Sequence, residues 1–254
     1  MWQDKYKLIT FETIDHVMVV RFARHDRLNA IDARLHTEMS WLFRDITEHA
    51  VCRSVVLTGE GRAFCAGGDI EWFADMPEGD LDRLFIEARR IIVDLLEVPQ
   101  PIITAVNGPA VGLGATLALF GDIIYMSESG VIADTHVLAG IAAGDGGAAI
   151  WPWIVGMPRA KEFLFTGKKI NAALAKEMGL VNHVVPDGEL LPSALAMAKR
   201  LADGAQMAIR ATKASLNKIL RDTVNLNLDT SLAMEKECFG SEEHKSRVRS
   251  FLKK

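Results

Sequence analysis

The chain predicts an α/β fold, on three observations. Short aliphatic and β-branched runs, such as Val55-Val56-Leu57 and Ile102-Ile103-Thr104-Ala105-Val106, alternate with segments whose apolar residues recur at helical spacing. Two of the strand-to-helix passages carry glycine-bearing segments, Ala63-Phe64-Cys65-Ala66-Gly67-Gly68-Asp69-Ile70 and Val106-Asn107-Gly108-Pro109-Ala110-Val111-Gly112-Leu113-Gly114. The 254 residues are 49% hydrophobic, enough for a large core and better suited to one domain with an appendage than to two independent domains.

Taken in order, Leu8-Ile9-Thr10-Phe11 and Val17-Met18-Val19-Val20-Arg21-Phe22 flank a turn-like Ile14-Asp15-His16 and read as a β-hairpin. Asp32 then caps a helix whose Leu35, Met39, Leu42 and Ile46 share one buried face. Val55-Val56-Leu57 is a short buried strand ending at Gly59. A helix follows over Leu81–Leu96, and Pro99 and Pro101 separate it from the strand Ile102–Val106. Beyond about Pro192 the chain turns rich in Ala, Met, Lys and Leu. It predicts three helices, over Ala194–Leu220, Val224–Phe239 and Glu242–Leu252. The expected division is therefore an α/β core over residues 1–191 and a helical C-terminal module over 192–254.

A net charge of -4 and the lack of a basic run interleaved with aromatics argue against nucleic-acid binding. No stretch approaches the length needed to span a bilayer, and residues 1–7 lack the apolar centre of a signal peptide. Cys52, Cys65 and Cys238 are too few and too scattered for a disulfide framework or a four-ligand metal site. The expectation is a soluble cytoplasmic protein with no bound metal.

Each glycine segment exposes backbone N–H groups beside a helix start, where unpaired donors and the positive end of the helix dipole coincide. Such donors stabilise negative charge developing on a carbonyl oxygen, so the two segments together read as an oxyanion hole. Asp69 reads as the cap of the helix that begins at Ile70. Cys65, among apolar neighbours, reads as a small buried hydrophobe.

On these residues the chain resembles the crotonase (enoyl-CoA hydratase/isomerase) superfamily, whose two signature loops run Phe-x-Ala-Gly-x-Asp-Ile and Asn-Gly-x-Ala-x-Gly-Gly-Gly. Further matches are Asp26-Arg27-Leu28-Asn29-Ala30, Val55-Val56-Leu57-Thr58-Gly59, Gly144-Asp145-Gly146-Gly147 and Ala211-Thr212-Lys213, so the likeness spans nearly the whole chain. It implies a spiral of strand-strand-helix turns with a helical C-terminal module, assembly as homotrimers or hexamers, and an acyl-CoA substrate with no separate cofactor. The family's oxyanion donors fall on the backbone N–H of Gly68 and Leu113. Its ligand contacts fall on Arg27, Leu28, Ala30, Ala66, Gly68, Asp69 and Ile70. Arg27 reads either as a phosphate contact or as a solvated surface residue. Trp72, Phe73 and Trp151 read either as acyl-pocket walls or as core.

The departures from the family pattern are informative. The two glutamates that hold water in true hydratases are replaced by Thr116 and His136. A threonine hydroxyl orients water but does not exchange protons with it near neutrality. His136 suits proton transfer, or else is a histidine hydrogen-bonded to backbone beneath the loop. Asp145 either caps the helix that follows or pairs with His136, fixing its tautomer and raising its basicity. The same His, interval and Gly-Asp-Gly arrangement is similar to that in 6-oxocamphor hydrolase, a superfamily member that cleaves a β-diketone by a retro-Claisen reaction. A related carboxylate position serves dienoyl-CoA isomerases. The Ala66-Gly67-Gly68-Asp69 loop is hydratase-like and favours a CoA thioester. A member that binds acyl-CoA without turning it over is the non-enzymatic alternative.

Overall fold

The computed structural model describes residues 2–49 and 51–253. β1 (Ile9–Ile14) and β2 (Val17–Phe22) form the expected antiparallel hairpin, turning at Asp15 with φ of 54°. α1 (Ala33–Glu48) starts where Asp32 Oδ1 accepts from the Leu35 N–H at 2.8 Å, and Leu35, Met39, Leu42 and Ile46 are all buried. β3 (Ser54–Gly59), α2 (Ile70–Asp75), α3 (Leu81–Glu97), β4 (Ile102–Val106) and β5 (Pro109–Val111) follow. Then come α4 (Leu113–Leu119), β6 (Ile123–Ser127), β7 (Val131–Ala133), α5 (Gly147–Val155), α6 (Met157–Thr166), β8 (Ile170–Asn171), α7 (Ala172–Glu177) and β9 (His183–Val185).

The main sheet has six strands in the order β1-β2-β3-β4-β6-β9, parallel throughout except at the hairpin. Parallel strands are covered on both faces, and the alternation along β2 shows it. Met18 and Val20 join the core formed with α1 and α3. Val17 and Val19 join a second cluster on the opposite face. A smaller three-stranded sheet, β5-β7-β8, lies beside it.

α8 (Leu190–Ala202) covers that opposite face through Leu190, Ala194, Ala198 and Ala202, the three alanines bringing the helix close to the sheet. Ser54 Oγ donates to the Ala198 carbonyl at 2.9 Å. The remaining helices are α9 (Gln206–Phe239) and α10 (Glu242–Phe251). The C-terminal segment therefore does contain three helices, but the break falls at 203–205 rather than at 221–223. Gly204 interrupts the chain there, whereas no Gly or Pro occurs between Gln206 and Phe239 to stop a 34-residue helix. Lys213 anchors this helix to the core, donating to Asp122 Oδ2 at 2.6 Å and to the Gln100 carbonyl at 2.8 Å. No helix among the described residues is long and apolar enough to cross a membrane.

Candidate active site

The two glycine segments meet. Cys65 N–H donates to the Pro109 carbonyl at 3.0 Å and Val111 N–H to the Cys65 carbonyl at 2.9 Å, a parallel bridge that sets the loops side by side. Gly67 is required at the junction, because its φ is +86° and a Cβ there would lie 2.9 Å from the Val111 carbonyl oxygen. Ile31 N–H donates to the Gly67 carbonyl and Asp69 N–H to the Ile31 carbonyl, which fixes Gly68 between them. Leu113 is the first residue of α4, and neither its N–H nor that of Gly68 is taken by an acceptor among the described residues.

Both residues line one cavity of about 390 Å³, together with His136, Asp145 and Glu235. Its remaining walls are mostly apolar and include Ile70, Trp72, Phe73, Leu84, Phe85 and Phe239. Trp151 takes no part. It is fully buried in the core with its ring 6.0 Å from that of Phe163.

His136 opens a 3-10 turn after β7, and each of its ring nitrogens faces a carboxylate. Nδ1 lies 2.7 Å from Asp134 Oδ1 and Nε2 lies 3.1 Å from Asp145 Oδ2. Burial alone would lower its pKa. The charges and hydrogen bonds of Asp134 and Asp145 together outweigh that and hold it well above the ordinary imidazole value. Both ring nitrogens of His136 are thus engaged by carboxylates, an arrangement that favours its charged form, and it is not the backbone-bonded histidine that was one expectation.

Asp145 is not a helix cap. Gly146 occupies that position with no side-chain cap bond, and Asp145 Oδ1 instead accepts from Thr116 Oγ1 at 3.2 Å. Thr116 accordingly orients Asp145. It does not line the cavity, so the expectation that it orients water directly is replaced by a role one shell behind.

Asp134 and Glu235 were not among the expected residues. Glu235 comes from α9, whose buried face runs Leu228, Leu232, Glu235 and Phe239. A carboxylate at an apolar position of that stripe was the available signal. Burial, followed by the nearby Asp145 charge, raises its pKa well above the ordinary value, while the His136 charge acts in the opposite direction. Glu235 Oε2 and Asp134 Oδ2 are both buried without a hydrogen-bond partner. Gly144 permits the approach of α9: a Cβ there would sit 2.6 Å from Glu235 Oε2 and 2.4 Å from the Ser231 carbonyl oxygen.

The other expected ligand contacts divide. Ala66, Gly68 and Ile70 line the cavity, whereas Arg27, Leu28, Ala30 and Asp69 do not. Asp69 caps α2 through the Glu71 N–H at 3.0 Å and pairs with Arg24 at 2.7 Å. Arg27 is half-exposed and pairs with Glu71 at 3.2 Å. Cys65 is fully buried and its thiol is pushed up to about 12 by burial, which makes it inert as a nucleophile near neutrality.

Comparison with known proteins gives a consistent family. The family model described as enoyl-CoA hydratase/isomerase matches residues 12–254. A crystal structure of an enoyl-CoA hydratase/isomerase from Mycobacterium paratuberculosis superposes with a TM-score of 0.93 at 35% identity, covering 96% of this chain and 98% of the other. The short-chain-enoyl-CoA hydratase of Clostridium acetobutylicum is 32% identical over 251 residues, 97% of this chain and 95% of its own length. A β-diketone hydrolase from the cyanobacterium Anabaena, bound to (S)-3-oxocyclohexyl acetic acid, is similar at a TM-score of 0.87 and 31% identity, covering 94% of this chain and 96% of its own.

Proposed function

The chain belongs to the enoyl-CoA hydratase/isomerase family, and from that premise we propose that it forms an enolate from an acyl-CoA thioester, with Asp145 and Glu235 as its proton carriers. The backbone N–H groups of Gly68 and Leu113 hold the enolate oxygen. Loss of one such donor costs about 3–4 kcal/mol of barrier. One observation carries the proton-transfer assignment: a single cavity contains two carboxyl groups in opposed settings. Asp145 is held by Thr116 and His136, while burial and the charges of Asp145 and Asp134 hold the Glu235 pKa well above the ordinary carboxylate range, against the opposing effect of His136.

For water addition, Asp145 takes a proton from water as the oxygen bonds to C3 of an enoyl thioester. The electron pair moves to the thioester oxygen, and the Glu235 carboxyl then delivers its proton to C2. One water is added, and a proton passing from Asp145 to Glu235 restores the starting state. For isomerisation the same Asp145 removes a carbon-bound proton and returns one further along the chain. In both cases the proton carriers come from positions other than the family's usual pair, Asp145 with Glu235 for water addition and Asp145 alone for isomerisation, which accounts for Thr116 and His136 where glutamates are expected. His136 works through Asp145, keeping it charged and oriented.

The CoA portion is assigned to Arg27, Leu28, Ala30, Ala66, Gly68, Asp69 and Ile70, of which Ala66, Gly68 and Ile70 line the cavity. A phosphate contact at Arg27 competes with Glu71 for the guanidinium. Assembly into trimers or hexamers is proposed for the outer face of α9, where Leu216, Ile219 and Leu226 are exposed.

A second reading has its own support. The His136–Asp145 pair, with the likeness to a β-diketone hydrolase, suits retro-Claisen hydrolysis. There water adds to one carbonyl of a β-dicarbonyl, the C–C bond to the central carbon breaks, and that carbon takes a proton, leaving a carboxylic acid and a ketone. Incubation with enoyl-, dienoyl- and 3-oxoacyl-CoA thioesters and a cyclic β-diketone, with products read by mass, separates the readings. The first expects thioester consumption, with gain of one water or a shifted double bond. Cleavage of the diketone alone supports the second, and tight thioester binding with no turnover supports a non-catalytic acyl-CoA binder.

A further inference from the structure

A second histidine, outside the His136 cluster, lines the same cavity. His36 sits in the second turn of α1, is almost fully buried, and lines the cavity beside Trp72, whose ring centre is 5.8 Å from its own. Its Nδ1 is 2.8 Å from Glu87 Oε2 on α3, and Thr37 Oγ1 donates to the same carboxylate at 3.0 and 3.2 Å. Glu87 is itself buried. The ring is therefore fixed in orientation by a carboxylate that is in turn fixed by a hydroxyl. Bridging α1 to α3 needs only Nδ1. Nε2 has no hydrogen-bond partner among the described residues.

We propose that His36, positioned by Glu87, is a specificity-determining residue that recognises an oxygen function, either hydroxyl or carboxylate, on the acyl chain of the thioester. The inference rests on the acyl-CoA reading and deepens it. Trp72 lies beside His36, and Ile31, Leu84, Phe85 and Ala88 line the same cavity; all suit carbon. A purely alkyl chain filling that space strips water from Nε2 and replaces it with nothing, which costs binding free energy. A chain bearing oxygen at that depth restores the hydrogen bond. In either protonation state Nε2 serves, as acceptor towards a hydroxyl or as a charged donor towards a carboxylate.

The test is titration calorimetry of the full-length protein with saturated acyl-CoAs, which bind without being hydrated. ω-Hydroxy and ω-carboxy acyl-CoAs of graded length are compared with alkyl chains of equal heavy-atom count. The best oxygenated chain is expected to bind about tenfold or more tightly than its alkyl counterpart. His36→Leu is expected to bring that ratio to one or below, His36→Gln to retain part of it, and Glu87→Gln to lower it, since the ring loses its charged anchor. The preferred arm identifies hydroxyl or carboxylate. A wild-type ratio near one at every length overturns the proposal whatever the variants do, as does a ratio unchanged by a folded His36→Leu. Equal binding of both classes removes this inference and leaves the acyl-CoA reading standing. No binding of either class removes both.

Discussion

At the scale of single residues, the acid-base assignment hinges on the unequal surroundings of Asp145 and Glu235. Asp145→Asn is expected to lower turnover by about 10²-fold or more while acyl-CoA binding persists, measured as kcat against a separately determined Kd. Glu235 must be protonated to act, and its pKa is raised by burial and by Asp145, so activity falls as pH rises through that value. In Glu235→Gln the residual activity should lack that alkaline limb. Stability carries the same sign. The folded chain holds the Glu235 proton more tightly than the unfolded chain, so this contribution is complete below the ordinary carboxylate range and is lost as pH rises through the folded value. Urea unfolding on either side of that window should show a smaller loss for Glu235→Gln than for wild type. His136 also has a raised folded value, set by Asp134 and Asp145 against the opposing effect of burial, and its share is likewise lost on the alkaline side. His136→Ala leaves two buried carboxylates without their cation and should cost about 3–5 kcal/mol of stability. Legibility ended unevenly here. The departures at Thr116 and His136 and the Gly-Asp-Gly loop were visible in the sequence and led to His136 and Asp145. Glu235 and His36 were not found, because a local reading does not show which buried face of a helix opens onto a cavity, and Asp134 was missed because its contact with the His136 ring comes from the turn after β7.

At the scale of elements, the site depends on how α9 seats on the loop before α5. Gly144 has no room for a side chain against Ser231 and Glu235. Ser231 Oγ donates to its carbonyl at 3.1 Å, and Asn227 Nδ2 donates to the Ala148 carbonyl at the same distance. Gly144→Ala must therefore push the helix or the loop away. It is expected to cost about 1–3 kcal/mol of stability and to depress kcat by displacing Glu235 and Asp145 relative to each other, checked by thermal unfolding alongside steady-state kinetics. Strands, caps and the first two long helices were readable because period, breakers and capping chemistry agree there, as at Asp32 and Leu35. The C-terminal helices were misdivided because the Arg221–Thr223 stretch looks polar without being helix-breaking, whereas the break before α9 falls at Gly204.

At the scale of the whole molecule, the α/β core supplies the Gly68 and Leu113 N–H groups and the His136 cluster, and the C-terminal helices supply Glu235. The site is complete only when both parts are docked. The exposed apolar stripe on α9 gives the assembly proposal a direct check: light scattering should show a trimer or hexamer, and Leu226→Glu should shift it to lower mass. The two glycine loops were legible from sequence as segments that belong together, since glycine, helix start and strand end coincide in each. Their meeting in space came only with the fold. The measurement that bears most directly on enolate formation is deuterium incorporation at C2 of a saturated acyl-CoA incubated with the enzyme in D2O, read by proton NMR. Exchange at C2 that falls by about 10²-fold in Glu235→Gln is the expected result. A wild-type enzyme that turns over thioesters yet leaves C2 unexchanged, or a Glu235→Gln variant that exchanges as fast as wild type, would contradict it.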